Sequence, residues 1–253
     1  MKLPPSAPSS LVFQNAPGSS VPEEFAIAVR KNPDDIRVMA ETPSETVCLQ
    51  KEALARQYVL IVDRSGSMTT PDGKGNRWDS AKTAVEKLVE TIFKYDVDHS
   101  VPLYLFDDRV EYIGECTDVG QVTKVFDAYK PRGTTDLARV LNVAMEEYVG
   151  VKRPNYEVVP GVTFVVILDG GTDNNEAVKR TIQKFADPSN GYISNHTQLA
   201  ISFIQIGDDK SATEFLKDLD DNSPKLDVVD STRDDALYMP EGVDKVLYDA
   251  IFD

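Results

Sequence analysis

The feature that most constrains the fold is an alternation of short apolar runs with amphipathic stretches, which begins at Tyr58. The apolar runs are rich in β-branched residues and read, in chain order, YVLIV, VPLYLF, VTFVVIL, LAISFIQI and KLDVVD. Between them lie stretches with helical spacing, such as DSAKTAVEKLVETIFK and TTDLARVLNVAMEEYV. Near-continuous apolar strands separated by helices are typical of a mostly parallel sheet with helices on both faces. We therefore expect a doubly wound α/β domain over residues 57–253.

Two segments refine this expectation. RVEYIGEC follows YLFDD with no room for a crossover helix, so this pair should form a hairpin that adds one antiparallel edge strand. PEGVDKVLYDAIF should form the last helix, because Pro240 stands near its start and apolar residues recur at helical spacing.

The segment before the alternation has a different character. Residues 1–22 are rich in Pro, Ser and Gly without any period, which predicts a flexible tail. Residues 23–56 contain the alternating runs EFAIAVR and DIRVMAE around KNPDD, which predicts an N-terminal hairpin extension.

Charge and composition narrow the classes of partner. The 253 residues include 42 acidic and 27 basic ones, for a net charge of -15, which would repel nucleic acids and anionic membrane surfaces but not a basic protein surface. No stretch reaches the roughly 20 apolar residues of a membrane span, and MKLPPSAPSS lacks the apolar segment of a secretory signal. Cys48 and Cys116 are too few and too far apart for a disulfide framework. These observations favour a soluble cytoplasmic protein, with a secreted fragment as the alternative.

Polar residues follow the predicted strands where ligands bind in open parallel sheets, at the carboxyl ends. DRSGS (63–67) follows the first strand, Asp169 and two glycines follow the middle one, and RGTTDL presents two threonines just before a helix. In DRSGS, a carboxylate and two hydroxyls at alternate positions place three oxygens on one side of a loop, and Gly66 permits a sharp turn between them. Carboxylate and hydroxyl oxygens suit Mg²⁺, Mn²⁺ or Ca²⁺ rather than zinc or copper.

DRSGS also resembles the DxSxS signature of von Willebrand factor A domains, whose fold is shared with integrin I domains and copines. The resemblance extends from Tyr58 to Asp253, since GTTDL and LDGGTDN match the second and third motifs of that family in the same order. In the family, these motifs form a metal-ion-dependent adhesion site. The resemblance implies that the metal ligands here are Asp63, Ser65, Ser67, Thr135 (with Thr134 as the alternative) and Asp169. The final carboxylate often acts through water in the family, and Leu168 stands where many members have threonine.

The resemblance implies a protein-binding module rather than an enzyme, as in cell adhesion, with Mg²⁺ as the most favourable ion. An Asp or Glu carboxylate of a partner would complete the metal shell. The residues support this, because two carboxylates nearly balance a divalent cation and neutral hydroxyls leave it electrophilic. Two alternatives remain open. One is a Mg²⁺-dependent phosphotransferase or phosphatase with Asp63 as nucleophile, although Ser65 stands where such chemistry usually has a second acid. The other is a scaffold with a structural metal.

Two further features concern the surroundings of the predicted site. The loop TTPDGKGNR brings Lys74 and Arg77 to its rim, where they could select a ligand or belong to a solvated connection. The last helix moves in many members of the family when the site is occupied, so the resemblance allows the same for residues 243–252.

Overall fold

The computed structural model describes residues 53–151, 161–222 and 225–252, which form one sheet with helices on both faces. The strands are β1 (Gln57–Asp63), β2 (Val101–Phe106), β3 (Val110–Cys116), β4 (Val162–Leu168), β5 (Leu199–Gln205) and β6 (Val229–Arg233). The α-helices are α1 (Arg77–Tyr95), α2 (Val119–Ala128), α3 (Leu137–Met145), α4 (Asn175–Ala186), α5 (Lys210–Asp221) and α6 (Gly242–Phe252). Short 3-10 helices span Gly66–Thr69, Pro188–Asn190, His196–Gln198 and Asp234–Tyr238, and a π-helical turn, Glu146–Val151, follows α3.

The sheet confirms the predicted fold class. Its strand order is β3-β2-β1-β4-β5-β6, with parallel pairing throughout except for the antiparallel pair of β2 and β3. The chain therefore builds outward from β1 to β3 and then returns to add β4, β5 and β6 on the other side of β1. This reversal places the switch point of the sheet between β1 and β4, which is where open α/β sheets form a ligand crevice.

Alternating side chains of β1 supply both layers of the core. Leu60 and Val62 belong to the cluster beneath α1, α2 and α6, whereas Val59 and Ile61 belong to the cluster beneath α3, α4 and α5. Each of these four side chains is fully buried. Burial of such a side chain contributes roughly 1.5–3 kcal/mol, so apolar side chains on both faces hold β1 and the residues that follow it in place.

One boundary differs from the sequence prediction. The run KLDVVD (225–230) predicted a strand over those residues, but β6 occupies Val229–Arg233. The later start follows from the register with β5, in which Val229 pairs with Ile201 and Arg233 pairs with Gln205. The strand can extend into polar residues because β6 lies at the edge of the sheet.

The predictions for residues 1–22 and for most of the 23–56 hairpin, including Cys48, lie outside the described residues. Cys116 is a free, buried thiol at the end of β3. Among the helices that the structure describes, none combines the length and the apolar character needed to cross a membrane.

Candidate metal site

The candidate site lies at the switch point, where two buried carboxylates end neighbouring strands. Asp63 is the last residue of β1 and Asp169 directly follows β4. The two strands run in parallel register, with Val62 opposite Ile167, so their carboxyl ends lie side by side. Both aspartates have no exposed surface. Two buried carboxylates in neighbouring positions are electrostatically costly unless something compensates for their charge.

A chain of hydrogen bonds links these carboxylates through the two serines of DRSGS. The backbone N–H of Ser65 donates to Asp63 Oδ1 at 2.6 Å, and Ser65 Oγ lies 2.9 Å from Ser67 Oγ. Ser67 Oγ in turn donates to Asp169 Oδ1 at 2.8 Å. The structure therefore brings together four of the residues that the sequence predicted as metal ligands.

The remaining oxygen of Asp63 has a different environment. Asp63 Oδ2 is buried and has no hydrogen-bond partner among the described residues. Burial raises the pKa of Asp63 to about 7. The N–H of Ser65 favours the charged form and lowers the pKa, whereas the carboxylate of Asp169 raises it further. A buried carboxylate oxygen without a partner indicates a group that another ligand can satisfy.

The threonine loop is joined to the other two loops by backbone contacts. The N–H of Gly66 donates to the carbonyl of Gly133 at 3.1 Å, and the N–H of Asp173 donates to the carbonyl of Thr135 at 3.0 Å. Asp173 Oδ2 accepts from Thr134 Oγ1 at 2.6 Å and from the N–H of Thr135 at 3.2 Å. The hydroxyl of Thr134 is thus engaged, whereas that of Thr135 makes no hydrogen bond with any described residue. This difference favours Thr135 over Thr134 as the threonine whose hydroxyl oxygen would coordinate a metal ion.

Asp173 was not singled out in the sequence, although it lies within the quoted motif LDGGTDN. The sequence feature that could have identified it is an acidic residue four positions after Asp169, in the same loop. Its hydrogen bonds to the Thr134 hydroxyl and the Thr135 N–H connect the threonine loop to the loop after β4.

Arg77 also reaches the site. Its Nη1 donates to Asp169 Oδ2 at 2.8 Å, and the side chains of the pair are 14% and 1% exposed. The sequence placed Arg77 and Lys74 at the rim, where they could select a ligand or belong to a solvated connection. Arg77 instead pairs with a carboxylate of the site itself, whereas the ammonium of Lys74 lies 5.4 Å from the centre of the Tyr238 ring.

The donor set suits a hard divalent cation. Within residues 53–151, 161–222 and 225–252, no group of three or more His, Cys, Asp or Glu side chains is arranged to hold a metal ion. The site provides two carboxylates and neighbouring hydroxyls instead, so a metal there would depend on hydroxyl and water oxygens as well. Mg²⁺, Mn²⁺ and Ca²⁺ accept such ligands.

Comparisons with known proteins agree with this architecture. Residues 58–170 match the family model of the von Willebrand factor type A domain, and this range includes Asp63 and Asp169. No curated protein matches the sequence. Residues 58–170 are therefore similar in sequence to a von Willebrand factor type A domain, and the α/β fold of the described residues agrees with this similarity.

Three solved structures share this fold at low sequence identity. The VWA domain of SpRpn10 is 14% identical with a TM-score of 0.53, and the alignment covers 76% of this chain and 94% of that one. Manganese-loaded TRAP of Plasmodium vivax is 14% identical with a TM-score of 0.51, covering 75% and 74% of the two chains. An aerotolerance-related membrane protein of Bacteroides fragilis is 16% identical with a TM-score of 0.50, covering 78% and 98%.

Proposed function

We propose that this domain binds a divalent cation, preferably Mg²⁺, and uses it to bind an Asp or Glu side chain of a partner protein. The proposed metal-binding residues are Asp63, Ser65, Ser67, Thr135 and Asp169. The observation that carries the proposal is the buried Oδ2 of Asp63, which has no described partner, while Oδ1 of the same carboxylate accepts the first bond of a chain that reaches Asp169. A cation bound among these oxygens would satisfy that atom.

The formal charges of the proposed ligands would leave a bound cation able to attract a carboxylate from a partner. Two carboxylates offset a divalent ion in formal charge, and the hydroxyls add donors without adding negative charge. When bound, the cation would supply an electrophilic centre that a carboxylate oxygen can approach. The manganese-loaded TRAP structure supports the view that a fold of this kind can accommodate a divalent cation.

An interaction module is favoured over an enzyme for two reasons. Domains of the von Willebrand factor type A class generally bind proteins. In addition, the position two residues after Asp63, where an aspartate-nucleophile enzyme usually has a second acid, is Ser65, and its hydroxyl is hydrogen-bonded to Ser67. The net charge of -15 would repel an acidic protein at long range. The proposed partner therefore presents its carboxylate within a neutral or basic surface.

Calorimetric titration of Mg²⁺, Mn²⁺ and Ca²⁺ tests the metal site. We expect saturable binding to the parent, loss of binding in Asp63→Ala and at least tenfold weaker binding in Thr135→Ala. Asp98→Ala is the matched control, because Asp98 is an exposed carboxylate bonded to Gln57 at the opposite end of β1, about 20 Å away. A parent that binds none of the three ions, or an Asp63→Ala variant that binds as the parent does, would overturn the proposal.

The carboxylate ligand can be tested separately on the Mn²⁺-loaded protein by water-proton relaxation. N-acetylaspartate amide should lower the relaxation enhancement by replacing a metal-bound water, whereas N-acetylasparagine amide at the same concentration should not. Equal effects of the two compounds would favour a structural metal. A Mg²⁺-dependent phosphatase activity that is lost in Asp63→Asn would favour the enzyme alternative.

A further inference from the structure

We infer that Arg77 is the compensating cation of the site when no metal is bound, and that its charge sets the affinity of the site for a divalent ion. This inference rests on the proposed metal site and concerns a residue outside the proposed ligand set. A bound metal ion would accordingly either displace the Arg77 guanidinium from Asp169 or bind against its repulsion.

The two buried carboxylates of the site are paired unequally. Asp169 has both oxygens engaged, Oδ1 by Ser67 and Oδ2 by Arg77. Asp63 forms no ion pair with a described residue, and its carboxylate interacts instead with the backbone N–H and the neutral side chain of Ser65. Arg77 is therefore the one described cation that pairs with either carboxylate, and it compensates part of a charge that is costly to bury.

The fold holds the Arg77 side chain in a defined position. Arg77 begins α1, and its backbone N–H donates to the carbonyl of Thr70 at 3.0 Å. Its side chain lies against Gly207, just after β5, where an added Cβ would come within 3.0 Å of Nε. Gly207 has a φ of +81°, a conformation that favours glycine. The guanidinium is thus held beside Asp169 by elements from both sides of the switch point.

The positive charge of Arg77 has a consequence for a cation bound at the site. A fixed positive charge beside Asp169 repels a divalent ion that uses the same carboxylate, either directly or through water. Because the side chains of Arg77 and Asp169 are both largely buried, solvent screens this repulsion less than it would at the surface. Arg77 should therefore weaken metal binding while it stabilises the metal-free protein.

The test compares Arg77→Gln with Lys94→Gln by calorimetry with Mg²⁺ and by thermal unfolding in the presence of a chelator. Lys94 is an exposed cation in the last turn of the same helix, about 25 Å from Arg77 along the axis, so its loss gives the same change in net charge. We expect Arg77→Gln to bind Mg²⁺ about tenfold more tightly and to unfold at a lower temperature when metal-free. Lys94→Gln should match the parent in both measurements.

Arg77→Lys keeps the positive charge and provides an independent test if Arg77→Gln folds poorly. We expect its Mg²⁺ affinity to stay within about threefold of the parent. Affinity in Arg77→Gln that is equal to or weaker than in the parent would overturn the inference, as would equally tight binding by Arg77→Lys and Arg77→Gln.

The outcomes also separate this inference from the proposed function. If the parent binds no Mg²⁺ but Arg77→Gln does, Arg77 excludes the ion, so the inference stands and the proposed function of the parent fails. If neither protein binds Mg²⁺, both fail. If the parent binds Mg²⁺ and Arg77→Gln binds it no better, only the inference fails.

Discussion

The guanidinium of Arg64 and the carboxylate of Asp107 form a buried ion pair, with Nη2 2.8 Å from Oδ2. Arg64 separates Asp63 from Ser65 in the sequence, yet it joins the loop after β1 to the end of β2 instead of entering the hydrogen-bond chain of the site. Arg132 donates to the same Asp107 oxygen at 2.9 Å, and Arg64 Nη1 reaches Glu111 at 2.9 Å. These ion pairs connect the loop after β1, which carries the two serines, to the end of β2 and to β3.

Loss of this pair should destabilise the protein strongly. Among the described cations, Arg64→Met would leave the buried carboxylate of Asp107 with Arg132 alone, and we expect a loss of about 2–4 kcal/mol in the free energy of unfolding. Chemical denaturation measures this loss. The control is Lys82→Met, which breaks the more exposed Lys82–Asp127 pair and should cost less than about 1 kcal/mol. Equal losses in the two variants would show that the buried pair has no special role.

The two adjacent threonines should differ in their effect on metal binding. Thr134 donates its hydroxyl to Asp173, whereas the Thr135 hydroxyl has no partner among the described residues. Thr135→Val should therefore weaken Mg²⁺ binding at least tenfold, and Thr134→Val should change it by less than about threefold. Calorimetry on the two variants measures both effects. A larger loss in Thr134→Val would assign the ligand role to Thr134 instead.

Gly133 should be intolerant of a side chain. Its φ is +72°, and an added Cβ would collide with Asp108 Oδ1 and come within 3.2 Å of Asp107 Cβ. Gly133→Ala should lower the free energy of unfolding by about 2–3 kcal/mol, from backbone strain together with the close contact. Gly73→Ala is the matched control, because Gly73 has a φ of +82° with open space around it and should cost about 1 kcal/mol. Equal costs would mean that the contact with the 107–108 turn is absent in solution.

Stability should depend on the ionisation of Asp96, which is buried and accepts hydrogen bonds from the N–H groups of Tyr58 and Ser100. Burial, reinforced by Asp98, raises the pKa of Asp96 from 3.8 to about 8. Between these values the folded protein holds a proton that the unfolded chain releases, so this contribution to stability is complete below about pH 4 and declines as the pH approaches 8. Asp96→Asn removes the titration.

Denaturation at pH 5 and pH 8 tests this contribution. The parent should lose about 1–3 kcal/mol more than Asp96→Asn over that interval, because groups that titrate in both proteins cancel in the comparison. Parallel pH profiles for the two proteins would contradict the prediction.

Much of the fold could be predicted because its signals are local. The apolar runs and helical spacings identified the central strands and the last helix, and the short link between YLFDD and RVEYIGEC required the antiparallel edge strand. The Asp107 N–H closes that turn by donating to the carbonyl of Arg109 at 3.0 Å. The start of β6 was less predictable, because the pairing register with β5 determines it, and register depends on a neighbouring strand.

The surroundings of the candidate site depended on contacts between distant segments. The local pattern of DRSGS singled out Asp63, Ser65 and Ser67, since alternation along a loop is visible in the sequence. The pairing of Arg77 with Asp169 joins residues 92 positions apart, and no periodicity predicts such a contact. The same holds for the contact of Asp173 with Thr134, which favours Thr135 as the donor at the site.

The sequence by itself determined the layered α/β architecture and the oxygen-rich character of the strand ends, because both follow from the order of residues along short segments. Only the tertiary structure decided the strand order, and with it the crevice between β1 and β4. It also placed an arginine of helix α1 beside one of the two carboxylates and left an oxygen of the other without a partner in the described part of the chain. The physical reason is that burial and hydrogen bonding between remote segments arise from packing of the whole domain, which sets the charge balance of the site.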